Sequence, residues 1–511
     1  MKYGTLEQLN YAWGAVFWNQ TYSAWEQVHL TRPTPSDSAN PHQALDEKRF
    51  ISDNVISFAK IQADIIRETS PNHWVTTNGV FGHLDSHRLT DELLDFISYD
   101  SYPLFAAGNN PSAEVNPLQD RGWSKSLSNV RSISPHFCVM EQQSGPGGWV
   151  NRIELPSPRP GQMRLWAYQS IAHGADILLF FRWRTATVGT EIYWHGINDY
   201  HNQPNRRVAE ATRIGHELAN VGKHIVGSSF VAEVALIRDY DNEWDGELDS
   251  WHGPMEQHSL SGWFKALQHR HIPLNILNMT PQTALEELIQ YKLLVYPHPT
   301  ILSDECAKLL EAYVEQGGQI VFGCRTGYKN IHGHCNMRVF PGPVADLCGI
   351  TVEDFTLIKG AYQAPPLRWL DQEVASAVTA DLFNDIIHVE SPSVEVIAEY
   401  AAEYYVGKPA LTVNKFGQGS AWYYGASFND QVAAEIITRI GLVSCIEAIC
   451  TVPLQVETVI RQSVDERLIF FLNYSNKPEK IDFKQDVFEL LTGETLRGIV
   501  EIEAFGVMLV R

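Results

Sequence analysis

Glu141 closes a short apolar run, His136-Phe137-Cys138-Val139-Met140. Gln142-Gln143-Ser144-Gly145-Pro146-Gly147-Gly148 follow, and an indole, Trp149, stands eight residues beyond the carboxylate. A buried strand that stops at a carboxylate and opens into a glycine and proline loop is how a parallel α/β barrel presents a catalytic group. In that fold the active site gathers at the C-terminal ends of the strands. Taken alone, Glu141 reads first as a solvated carboxylate at a strand end, since most such groups have no catalytic role. Its neighbours weigh against that reading. Met163, Trp166, Ala167 and Ile171 have helical spacing, and Gly174 is a stop signal. Ala175-Asp176-Ile177-Leu178-Leu179-Phe180-Phe181 then reads as a fully buried parallel strand ending in the cationic, aromatic tip Arg182-Trp183-Arg184. Strand, helix and strand make one βαβ unit with its polar and aromatic residues at one end.

The elements that must position these groups lie on either side. Thr5 caps a helix running to Trp13, Pro33-Thr34-Pro35-Ser36-Asp37-Ser38 is a loop, and residues 45–68 form a long helix. Its apolar face is Phe50, Val55, Ile56, Phe58, Ile61, Ile65 and Ile66. Trp74-Val75-Thr76-Thr77-Asn78 and Phe96-Ile97-Ser98-Tyr99-Asp100 read as two further strands. Together with the Glu141 and Phe180 strands they make four, which is half of an eight-stranded barrel. A complete barrel takes roughly 250 residues.

Several motifs, in order, resemble glycoside hydrolase family 42, the microbial β-galactosidases. They are Met140-Glu141-Gln142-Gln143, Met163-Arg164-Leu165-Trp166, Ala172-His173-Gly174-Ala175-Asp176, Phe181-Arg182-Trp183-Arg184 and Gly189-Thr190-Glu191. The opening Lys2-Tyr3-Gly4-Thr5-Leu6-Glu7-Gln8-Leu9-Asn10, with Trp13-Gly14 and Phe17-Trp18, is similar too, as are Thr76-Thr77-Asn78 and Tyr99-Asp100-Ser101-Tyr102-Pro103. The resemblance implies an α/β chain that holds the C-terminal half, strands 5–8, of a (β/α)8 TIM barrel over residues 1–228. It implies a retaining β-galactosidase that hydrolyses terminal non-reducing β-D-galactosyl residues, with Glu141 as the nucleophile that forms a covalent glycosyl-enzyme. The acid/base Glu, in an Asn-Glu pair on strand four, would lie upstream of Met1. The one Asn-Glu pair weighed, Asn242-Glu243, is read in a polar loop of the next segment. A retaining enzyme needs both carboxyl groups, about 5 Å apart. The expectation is therefore a chain that lacks its N-terminal half-barrel. Either a separate polypeptide supplies that half, or the chain is a truncated product; the alternative function is that of an inactive fragment or pseudoenzyme that oligomerises or binds sugar. Tyr102 would hydrogen-bond to the nucleophile, Trp149 and Trp18 would wall the sugar pocket, and Glu191 would accept sugar hydroxyls. The family often has a His three residues after that Glu. Here Trp194 fills that position and His195 follows it. Asn78 and Arg182 read as scaffold.

Composition sets outer limits. The chain has 511 residues, 44% of them hydrophobic and 11% aromatic, which fits several domains with large cores. A net charge of −21 argues against nucleic acid or an anionic membrane as partner and suits a neutral galactoside or oligosaccharide. Seven scattered cysteines do not make a disulfide framework. Cys324, His332, His334 and Cys335 fit no standard zinc spacing, so no metal or other cofactor is expected. With no signal peptide and no apolar run long enough to span a membrane, a cytoplasmic location is the default.

Past residue 228 the pattern alternates strand and helix: Val234–Ile237, Trp263–His269, Leu293–Pro297, a Ser303-capped helix through Val314, then Gln319–Phe322. Residues 229–448 read as an open α/β sheet, similar to the family's class I glutamine amidotransferase-like domain. That likeness implies a homotrimer. No nucleophile elbow marks this segment as an enzyme, and Cys324 reads as a buried structural thiol. Residues 449–511, with Leu468–Tyr474, Lys480–Phe483 and Gly506–Val510, read as a small antiparallel β domain.

Overall fold

The computed structural model describes residues 2–32, 39–104, 119–360, 362–371 and 377–511. The loop expected at 33–38 lies outside the described residues. In the N-terminal part, strands β1 (Ser98–Ser101), β2 (Phe137–Gln143) and β5 (Ala175–Phe181) form a parallel sheet in the order β1-β2-β5, and a two-stranded hairpin, β3 (Gly147–Trp149) with β4 (Arg152–Leu155), stands after β2. Asn78 adds a parallel bridge to Ser98. The strand expected over Trp74–Asn78 is thus reduced to one bridge. Its backbone still runs beside the sheet, because Ser98 donates to the Thr77 carbonyl at 3.0 Å.

Two helices stand out in this part, one packed on Val75, Leu89 and Leu93 beside the sheet and one packed on the sheet itself. The helix Pro41–Thr69 starts where the Asn40 side chain accepts from the amides of His42 and Gln43, with proline in the first turn. The helix Gln162–Ala172 is buried on every side. It lies between β5 and the last domain, where Leu165, Tyr168 and Ile171 share a core with Phe470 and Leu472. That position leaves it no exposed face, and its polar residues bond inward, Arg164 to Glu217 and Gln169 to Ser124.

After β6 (Ser229–Phe230) comes the middle sheet. It is built from β7 (Val234–Arg238), β8 (Leu274–Asn278), β9 (Leu293–Tyr296), β10 (Gln319–Gly323), β12 (Leu367–Trp369), β14 (Val394–Tyr400), β15 (Pro409–Phe416) and β16 (Gly419–Tyr424), in the order β12-β14-β15-β16-β10-β9-β7-β8. Strands β8, β7, β9, β10 and β16 are parallel, whereas β15, β14 and β12 continue antiparallel. β11 (Ile350–Leu357) and β13 (Phe383–Val389) pair separately. Successive residues of the parallel strands enter opposite cores: Val234 and Leu236 one, Ala235 and Ile237 the other. Coverage on both faces is why these strands are apolar runs rather than alternating ones. Asn242-Glu243 stands in the helix Tyr240–Leu248, capped by Asp239, and not in the loop expected from its polarity.

The last sheet is antiparallel: β17 (Cys450–Thr451), β18 (Val456–Gln462), β19 (Arg467–Asn473), β20 (Glu479–Glu489), β21 (Glu494–Ile502) and β22 (Val507–Val510), with β6 paired to β18. Among the described residues no helix is long and apolar enough to cross a membrane.

Candidate active site

Glu141 sits two residues before the end of β2, since the strand continues through Gln143 rather than stopping at the carboxylate. The ladder shifts register beside it on both sides, between Tyr99 and Asp100 of β1 and between Val139 and Gln142 on the β5 side. A bulge of this kind breaks the two-residue period and re-aims a side chain. The strand end is clamped from below. Ser170 Oγ donates to Gln142 at 2.8 Å, and the Leu104 amide donates to Gln143 at 3.3 Å.

The Tyr102 hydroxyl donates to Glu141 Oε2 at 2.6 Å. Burial pushes the Glu141 carboxyl above its ordinary range. The Tyr102 bond and the Arg182 cation oppose that push, and Asp100 and Glu191 add to it. Both of those carboxylates are already engaged. Asp100 accepts from the Asn78 amide at 2.9 and 3.1 Å, and Glu191 accepts from Trp149 Nε1 at 3.3 Å and pairs with Arg182 Nη1 at 3.4 Å.

Trp194 joins these groups. Its ring meets Tyr102 edge-on at 5.1 Å and lies 6.4 Å from Trp149. Arg182 also donates to the Glu191 carbonyl at 3.0 Å. The segment is pinned to β5 by Ile197 N to Arg182 O, 2.7 Å, and Asn198 N to Trp183 O, 2.8 Å. Tyr102, Glu141, Trp149 and Glu191 therefore form one chain of contacts through Trp194 and Arg182. Sequence reading treated Arg182 as scaffold and gave Trp194 no role. The only signal for Trp194 was its place three residues after Glu191. The hairpin that presents Trp149 also went unread, because glycine and proline suggested plain loop. His195 turns away to pair with Asp199 at 3.1 Å, which also holds Arg207. Trp18 is exposed, and its ring packs on Phe17 at 5.0 Å.

Cys324 is enclosed in the middle core beside Met255 and His298. His332 and His334 instead face His42 and Tyr11 of the N-terminal part. Among the described residues no three His, Cys, Asp or Glu side chains gather as a metal site.

A carboxylate at the C-terminal edge of a parallel sheet, gripped by a phenol and walled by indoles, is the equipment of a glycoside hydrolase. Comparison with known proteins makes the class particular. The family model described as beta-galactosidase matches residues 1–221, its trimerisation domain 232–443 and its C-terminal domain 455–511. The β-galactosidase BgaP of Planococcus sp. (strain L4) is 30% identical over 99% of this chain and 74% of its own length. The crystal structure of the β-galactosidase from Bacillus circulans sp. alkalophilus superposes with a TM-score of 0.88 at 27% identity, over 100% of this chain and 74% of that one. The enzyme of the Antarctic haloarchaeon Halorubrum lacusprofundi gives 0.87 at 27%, over the same shares. The chain belongs to glycoside hydrolase family 42, the β-galactosidases.

Proposed function

We propose that Glu141 is the nucleophile of a retaining β-galactosidase that removes terminal non-reducing β-D-galactosyl residues. Its carboxylate attacks the anomeric carbon, the aglycone oxygen leaves with a proton from a second carboxyl group, and water then releases galactose from the glycosyl-enzyme. The observation that carries this reading is the 2.6 Å bond from Tyr102 to Glu141 at the bulged end of β2. Trp149 and Trp194 supply faces for the sugar ring, and Glu191, held by Arg182, accepts its hydroxyls. Trp18 and His195 are weaker candidates for the sugar pocket, because each packs on other partners.

The acid/base is the open role. Asp100 and Glu191 are both engaged, so neither is read as the proton donor. We read β1, β2 and β5, with the Asn78 bridge, as an arc of a (β/α)8 barrel, strands 5–8, closed by four βα units that these 511 residues do not contain. Exposed apolar groups support that reading. On the sheet Leu179 is 46% exposed, and along one side of the helix Pro41–Thr69 the residues Phe58, Ile61 and Ile65 are 66%, 60% and 54% exposed. In a closed barrel such positions are covered. The match of residues 232–443 to a trimerisation domain supports a homotrimer.

The test is hydrolysis of a chromogenic β-galactoside by the 511-residue chain beside Glu141→Gln, each with and without the complementary half-barrel added in trans. Activity that needs Glu141 and rises with the added half supports both readings. Activity unchanged in Glu141→Gln refutes the nucleophile. A folded chain that stays inactive with the added half favours a sugar-binding or oligomerising module over an enzyme.

A further inference from the structure

The middle sheet has a topological switch point unrelated to Glu141. From β7 the chain runs outward to β8 on one side, then returns to β9 on the other. In open α/β sheets, ligands settle outside the carboxyl ends of the strands at such a point. A cavity of about 410 Å³ lies there. Its inner wall is Asp239 after β7, Asn278 at the end of β8 and Tyr296 at the end of β9, and its outer wall is Arg49 and Asp85 of the N-terminal part.

The inner wall keeps acceptor capacity that the protein does not exhaust: one amide oxygen is unused, and a carboxylate with room for about four hydrogen bonds accepts three. The buried Asn278 Oδ1 finds no hydrogen-bond partner. Asp239 accepts from the Tyr296 hydroxyl and from the Asn242 amide groups at 2.6 and 2.8 Å, and no basic side chain among the described residues forms an ion pair with it. The cations at the mouth are already paired, and Lys2 with Asp46 is one such pair. Arg49 pairs with Asp46 and Asp241 at 2.8 and 2.7 Å, and Arg88 pairs with Asp53 and Glu92. An anion entering the crevice meets Asp239 and finds no unpaired arginine, and the acceptors of the inner wall call for a ligand rich in donors. The ligand that fits brings hydroxyl donors and no negative charge. The volume lies at the small end for ligand sites and suits one sugar ring.

We propose that this crevice is a second binding site, for a neutral polyol of monosaccharide size whose hydroxyls donate to Asp239 and Asn278. Because its walls come from both the N-terminal and the middle segments, an occupant ties the two together and stabilises their contact by mass action.

The probe is D-galactose, titrated by calorimetry into the full chain. Putrescine and inorganic phosphate serve as the cationic and anionic alternatives. Saturable galactose binding, on the order of 1 mM, is expected in wild type and in Glu141→Gln alike. It should weaken at least about tenfold in Asn278→Leu and in Asp239→Asn. Asparagine caps a helix as well as aspartate, so the second variant keeps its fold even where the first does not. Folding of both is checked by thermal melts. The proposal is overturned by no saturable galactose binding, by binding that Glu141→Gln removes and these variants spare, or by saturable binding of putrescine or phosphate in place of galactose. Galactosidase activity does not enter the readout, so this site and the role of Glu141 stand or fall separately.

Discussion

Tyr102, one residue past β1, and Glu141, on the neighbouring parallel strand β2, are joined by a 2.6 Å hydrogen bond in which the phenol donates to the carboxylate. The bond stabilises the ionised form of Glu141, against the upward push of burial. Tyr102→Phe should therefore move the acidic limb of the kcat/KM profile to higher pH in the active preparation, and lower kcat by roughly 10- to 100-fold. A pH profile of the variant beside wild type measures both. An unmoved acidic limb would separate Tyr102 from the carboxylate's titration.

Gly196 lies against the backbone at the end of β5. A Cβ there would sit 2.9 Å from the Arg182 carbonyl carbon and 3.0 Å from the Arg184 nitrogen, closer than side chains normally come. Gly196→Ala should lift residues 191–199 off the strand and loosen Glu191 and Trp194 together. The expected result is a KM at least tenfold higher and a loss of about 1–3 kcal/mol of stability. Kinetics and denaturant melts read the two effects separately.

Glu457 ties the three parts of the chain together. It accepts from Ser124 Oγ at 2.9 Å, His173 Nε2 at 3.2 Å, Gln268 Nε2 at 2.7 Å and Tyr474 OH at 2.7 Å. Burial alone would push its carboxyl up, but the converging donors, His173 first, hold it below its ordinary value of 4.5. A depressed carboxylate adds stability above that value and loses it as pH falls through and below 4.5. Glu457→Ala should cost about 3–5 kcal/mol at neutral pH, because it strands four buried donors. It should also flatten the loss of stability below pH 4.5. Melting temperature against pH checks both.

Glu256 behaves in the opposite sense. Burial first, then Glu243 and Asp239, push its carboxyl up to about 8, against Arg238 and Lys125. The unfolded chain gives up this proton near 4.5 and the folded chain near 8, so stability falls as pH rises through that window. Glu256→Gln keeps the shape and removes the charge. It should stabilise the protein at pH 8 by on the order of 1–3 kcal/mol and leave it little changed at pH 4.5. Denaturant melts across that range would refute the assignment if the two pH values gave the same difference.

Much of this was legible in the chain itself. The apolar run before Glu141, the Gly174 stop and the all-apolar β5 carry their own periods, and the middle strands are continuous because both their faces are buried. The ordered motifs from Lys2 to Glu191 carry the family resemblance in the sequence itself. Local sequence could not set what depends on long-range contact. Asn242-Glu243 looks like loop by polarity, yet it becomes helix because Asp239 caps it and Asn242 bonds the Ile301 backbone across the sheet. The run Trp74–Asn78 has strand composition, but only Asn78 reaches a partner within the sheet ladder. Trp194 rather than His195 meets Tyr102, a choice made by the anchoring of Gly196–Asn198 on β5. Sequence by itself determined the residue types that can do chemistry and the periods that build strands and helices, because these are properties of neighbouring residues. Tertiary structure alone decided which of those groups meet, because register shifts and carbonyl contacts between distant segments set the aim of each side chain.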